Sequence, residues 1–226
     1  MMNRIDDNLN EITSPPVKSN LIKKITSSLF CGKRSYLWLC FGIPVIIMYL
    51  IYLALQIHPF GDGSVLVLDL NAQYVYFYEA LRDFVFGDNS LLYSFSRQLG
   101  GEFMGMYAYY LASPISYLVA LFPADRILEA LLFIILIKTG LCGASFGYYL
   151  HKNSRVPNRF AVLAFATMYA LCSYAVIYQN NTMWIDALIY LPLITYGIEQ
   201  LIKLRKYKLF VISLALGIIS NFYIGY

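Results

Sequence analysis

The sequence predicts an all-α fold, a polytopic bundle of transmembrane helices with two amphipathic helices on the outer surface in its first extracellular loop. Three observations carry this prediction. Of the 226 residues, 59% are hydrophobic and only 13% are charged, about half the charge of an ordinary soluble domain. The apolar residues gather into runs long enough to cross a hydrocarbon core of about 30 Å. Basic and acidic residues sort into different connecting segments, as they do in multi-spanning proteins. The 21 tyrosines suit the same class, because a phenol joins an apolar ring to a hydroxyl that needs water.

Taken in order, residues 1–35 read as a cytoplasmic tail, partly disordered. The tail is polar, with "SPP" at 14–16, and then basic through Lys23, Lys24, Lys33 and Arg34. No cleavable signal peptide is expected, since the polar lead is long and no small-residue cleavage site follows the first apolar run. That run, 36–57, carries no Asp, Glu, Lys or Arg and is long enough to span at about 1.5 Å per residue. Further spans are expected at 127–150, 160–178, 184–202 and 209–226. The chain stops at "NFYIGY" inside the last of these runs, as a fragment would.

The tail's bases place the N-terminus in the cytoplasm and the next loop outside. From 58 to 125 that loop holds Asp62, Asp69, Glu79, Asp83, Asp88, Glu102 and Asp125 against Arg82 and Arg97. The loops 151–159 and 203–208 carry Lys152, Arg155 and Arg159, and Lys203, Arg205, Lys206 and Lys208, with no acid. Both fall inside only if "MYAYYLASPISYLVALF" (106–122), with Pro114 in its middle, does not cross. It is therefore expected to be a bent, non-crossing element on the outer side.

The same loop contains "LDLNAQYVYFYEALRDFVF" at 68–86. Leu70, Tyr74, Phe77, Tyr78, Leu81 and Phe84 fall at helical spacing on one side, with Asp69, Gln73, Tyr76, Glu79 and Asp83 opposite. Residues 69–86 are thus expected to form a surface helix whose aromatic face rests on lipid or on other spans. A second element covers about 104–122, after a turn-rich stretch with "GDNS" and "QLGGEF".

Asp69 is the first candidate for chemistry. It sits at the start of the surface helix, where the macrodipole favours a carboxylate; a plain helix-capping role is the competing reading. Asp186, in "QNNTMWIDALIYLPL", lies just inside the 184–202 span, where an ionisable group is costly. Its alternatives are reaching back to water or capping the helix. Lys138 lies about 18 Å along its span and needs a counter-charge or a wet cavity. Arg82 and Arg97 could hold a phosphate or pair with neighbouring acids. Glu199, four residues before Lys203, reads as structural. Cys31, Cys40, Cys142 and Cys172 offer neither a disulfide framework nor metal-ligand spacing. The net charge of +4, spread over loops, suggests no nucleic-acid partner.

The blocks "LDLNAQYVYFYEAL", "YSFSRQLGGEF", "YYLASPISYLVALFP", "NTMWIDALIYLPLITYGIEQL" and "NFYIGY", in this order, resemble the bacterial YfhO-like membrane proteins. That family is part of the lipid-sugar-dependent glycosyltransferases with the GT-C fold. The resemblance runs from about residue 36 to the end and covers only the N-terminal part of such proteins. It implies a GT-C-like membrane domain over 36–226. It also implies transfer of a sugar from a polyprenyl-phosphate donor to a cell-envelope polymer such as lipoteichoic acid, at the outer face of the cell membrane. The family's essential acid, soon after the first span, corresponds to Asp69. Its two surface helices correspond to 69–86 and 104–122, and a second acidic site lies close to Asp186. No metal ligand is assigned. The single phosphate of the donor favours metal independence, with a divalent cation held by Asp69 or Asp186 as the alternative. Two other readings stand beside the enzyme: a transporter or flippase of a lipid-linked substrate, using Lys138 and Asp186 along a path through the bundle, and a non-catalytic membrane scaffold.

Overall fold

A computed structural model describes residues 35–88, 90–95, 100–153 and 158–225. The basic tail, Arg97 and Arg155 lie outside the described residues. Helix α1 (Ser35–Ala54) continues through Pro44. A π turn (Leu70–Tyr74) leads into α2 (Val75–Phe86). Three short pieces follow: one turn at Met104–Met106, a π turn at Tyr107–Leu111 and a 3-10 segment at Pro114–Leu121. The remaining α-helices are α3 (Ile127–Lys152), α4 (Arg159–Ala170), α5 (Ser173–Ile177), α6 (Thr182–Leu204), α7 (Lys208–Ser220) and α8 (Phe222–Gly225), with 3-10 turns at Ala124–Arg126 and Tyr178–Asn180. The described residues contain no strand, only the isolated bridges Ile57–Gly63 and Ser94–Gly101.

Helices α1, α3 and α6 are long and apolar enough to cross a membrane, and α4 with α5 makes a fourth crossing if the pair, bent by 40°, is one span. The run 209–226, expected as a fifth span, differs. Helix α7 has 13 residues, about 20 Å, short of a hydrocarbon core of about 30 Å. Asn221 breaks it. Its Nδ2 donates to the Tyr109 carbonyl at 3.2 Å, and its Oδ1 accepts from the Ile224 N–H at 2.8 Å. An amide side chain that satisfies backbone groups in this way competes with helix continuation.

Where helices meet closely, glycine allows it. A Cβ on Gly140 would strike the Phe41 ring, one on Gly143 the Cys40 carbonyl and one on Gly147 the Cys40 thiol. This stripe lets α3 lie against α1. In lipid, where water supplies no drive for helices to associate, close approach at small residues gives the packing.

The aromatic face of the 69–86 segment behaves as its periodicity requires. Leu70, Tyr74, Tyr78 and Leu81 are fully buried, Phe77 and Phe84 are half-buried, and Asp69, Tyr76 and Glu79 are exposed. The face belongs to the protein core: it joins Met48 and Tyr52 of α1 and Leu131 and Ile134 of α3 in one cluster. The π turn adds a residue to the winding, and Val75 is buried on that face as well. The 104–122 element is less regular than one bent helix. Ser113 caps the 3-10 segment, its hydroxyl accepting from the Ile115 N–H at 3.3 Å, and Pro114 occupies the first helical position. Proline has no N–H to offer the preceding turn, so a new helix starts there.

One packing relation fixes depth. Lys138 lies about 16 Å along α3 from Ile127, and Asp186 about 6 Å along α6 from Thr182. The two side chains touch, so the middle of α3 meets the first turns of α6. Ser113, at the start of the 3-10 segment, reaches Asp186 at the same point.

Candidate functional site

This junction holds a closed polar network. Lys138 Nζ donates to Asp186 Oδ2 at 2.7 Å and to the Thr182 carbonyl at 2.8 Å. Ser113 Oγ donates to Asp186 Oδ1 at 3.0 Å. Each member of the ion pair is 1% exposed. One turn away, the Tyr78 hydroxyl lies 3.1 Å from Thr182 Oγ1 and 3.3 Å from Ser116 Oγ. The network joins α2, the 3-10 segment, α3 and α6. Both carboxylate oxygens of Asp186 are occupied, as a buried charge requires. The cavity beside Lys138, bounded by Ile135, Thr139, Gln179 and Ile185, holds only about 10 Å³, roughly one water at most.

The sequence singles out Lys138 and Asp186 separately, and the structure makes them one unit. It does not single out Tyr78, Ser113, Ser116 or Thr182. Two signals point to them. A phenol on a buried helix face needs a hydrogen-bonding group opposite, and Ser-Pro is a helix-start signature.

Asp69 is built differently. It occupies the capping position of the π turn with φ −63° and ψ −28°, yet its side chain makes no capping hydrogen bond. The carboxylate is exposed. Leu68, just before it, adopts left-handed φ of 49° and is 79% exposed, beside Val67 at 57%. A leucine held at positive φ is a strained backbone position of the kind that clusters at functional sites. Asp69 therefore stands exposed on an apolar lip formed by Val67 and Leu68. Nine residues of chain, about 13 Å along the helix, separate it from Tyr78. No hydrogen bond links Asp69 to Asp186; the two aspartates serve different places.

Arg82 is largely engaged in packing. Its Nε donates to the Phe122 carbonyl at 2.9 Å, Nη1 lies 3.6 Å from Asp83 Oδ1, and the guanidinium sits 4.8 Å from the centre of the Phe86 ring. It ties α2 to the end of the 3-10 segment. Arg97 lies outside the described residues. Glu129, near the start of α3, lies 3.4 Å from His58 Nε2. Glu199 accepts from Lys203 at 2.9 Å, as its spacing leads one to expect, and also from Tyr149 and Asn153. Among the described residues no three His, Cys, Asp or Glu side chains gather as a metal-binding group.

The family described as "Bacterial membrane protein YfhO" matches residues 40–226. The chain is similar to the uncharacterized protein YfhO of Bacillus subtilis (strain 168), at 26% identity over 186 residues, covering 74% of this chain and 20% of that relative. The chain thus spans about a fifth of the length of the curated relative it matches. No solved structure matches it.

Proposed function

Since the chain belongs to the YfhO family of bacterial membrane proteins, we propose that it forms part of a membrane glycosyltransferase. The enzyme moves a sugar from a polyprenyl-phosphate donor to a cell-envelope polymer such as lipoteichoic acid, at the outer face of the membrane. The observation that carries this reading is Asp69: an exposed carboxylate, uncommitted to a cap, on an apolar lip formed by Val67 and Leu68. A donor whose isoprenoid chain stays in the bilayer presents its phosphate-sugar at such a boundary. Asp69 accepts the proton of the acceptor hydroxyl as that oxygen attacks the anomeric carbon. The bond from this carbon to the phosphate oxygen breaks, and polyprenyl phosphate leaves with the bonding pair. The carbon passes through oxocarbenium character, as in glycoside hydrolysis. The leaving phosphate needs a cationic neighbour. Arg82 is largely committed to Phe122 and Asp83, so Arg97 or residues beyond this chain are the better source.

The sealed state of the Lys138–Asp186 pair favours this reading over a transport path through the bundle, which would need those charges to meet water or substrate. The test is a transfer assay on membranes with radiolabelled polyprenyl-phosphate sugar. Label should enter polymer in membranes containing the intact protein and not in membranes lacking it. Equal incorporation in both would refute the proposal.

A further inference from the structure

At the opposite end of α6 from Asp186, the turn 205–207 into α7 is shaped as well as charged. Arg205 closes α6 in a left-handed conformation, φ 54°, a position that usually goes to glycine. Its N–H donates to the Leu201 carbonyl at 3.0 Å, and that of Lys206 to the Gln200 carbonyl at 3.3 Å. These bonds fix the backbone that carries the cations. Arg205, Lys206 and Lys208, with Gln200 and with Tyr148 from α3, line a cavity of about 520 Å³. Lys152, 5.7 Å from the centre of the Tyr148 ring, lines a separate cavity that shares Gln200.

Among the described residues the charge here is uncompensated. Glu199, the nearby acid on α6, is taken by Lys203, Tyr149 and Asn153. Among the described residues, Arg205, Lys206 and Lys208 form no ion pair. No side chain caps the start of α7, which follows at Lys208, so its first N–H groups also face an incoming anion. Next to the cavity the helices expose Ile202, Leu204, Val211 and Ile212, a surface suited to acyl chains.

We propose that this cavity is a binding site for the headgroup of an anionic phospholipid, its phosphodiester held by Arg205, Lys206 and Lys208 and its acyl chains lying on the exposed face of α6 and α7. Basic pockets between membrane helices recognise phosphate headgroups in this way, most strongly at the leaflet that attracts Lys and Arg. Apolar surface directly beside the cations favours a lipid over a free phosphate. The site is separate from Asp69, and its test does not depend on glycosyl transfer.

The experiment uses the intact protein in nanodiscs of phosphatidylcholine with and without phosphatidylglycerol, with native mass spectrometry and thermal melting as readouts. Phosphatidylglycerol should stay bound and raise the melting temperature. Lys206→Ala/Lys208→Ala should weaken retention about thirty-fold, the equivalent of two membrane-surface charges, and remove the rise. Lys203→Ala, whose ammonium is already paired, should leave both unchanged. The double variant should melt normally in phosphatidylcholine alone, which shows that its fold is intact. Parent-like retention by the double variant would overturn the proposal, and so would an equal stabilisation by inorganic phosphate in phosphatidylcholine discs.

Discussion

Two aspartates in this chain are treated in opposite ways. Asp186 is 1% exposed, with Lys138, itself held by the Thr182 carbonyl, on one oxygen and Ser113 on the other. Asp69 is exposed and makes no capping bond. A carboxylate whose lone pairs are filled by neighbours has no room to accept a proton, whereas an exposed one without such partners can. The pair shows that an ionisable residue in a membrane helix, which by default suggests function, can serve as a fastener.

The contrast can be broken from the fastened side first. Lys138→Met leaves the Asp186 charge buried without its counter-ion and should cost about 3–5 kcal/mol, read as a fall in midpoint on denaturation in detergent. Lys138→Met/Asp186→Leu removes both charges and should recover most of that loss. A double variant as unstable as the single one would mean that the pair does more than neutralise itself. Tyr78→Phe deletes the hydroxyl between Ser116 and Thr182 and should cost about 1–3 kcal/mol. Arg82→Ala loses the bond to the Phe122 carbonyl and the cover over Phe86. It should cost about 1–2 kcal/mol, with the joint between α2 and the 3-10 segment becoming more open to proteolysis.

Which parts were legible in the sequence follows the range of the interactions. The apolar runs and the face Leu70, Tyr74, Tyr78, Leu81 repeat within a few residues, so periodicity exposes them. The bond from Lys138 to Asp186 crosses 48 positions, and the sequence holds no local sign of it. Each charge could be judged costly, but the contact that offsets the cost depends on which turns of α3 and α6 meet. Helix α7 misleads for a related reason. Its composition is apolar beyond residue 220, yet Asn221 satisfies Tyr109 and Ile224 and stops the helix. Composition measures what a segment can dissolve in, and one amide with tertiary bonds decides where it ends. The capping reading of Asp69 was open from the sequence, and only the side-chain geometry separates it from an uncommitted carboxylate.

At the bottom of this stability scale stands Asp69, where a surface substitution should cost no more than about 0.5 kcal/mol. The decisive measurement is therefore Asp69→Asn in the intact protein, with transfer of labelled sugar and thermal melting followed on the same membranes. The expected result is a fall in transfer of about 10²–10⁴-fold, the usual contribution of a general base, with an unchanged melting temperature. Transfer at the parental rate with the asparagine in place would contradict the assignment of the reacting carboxylate to residue 69.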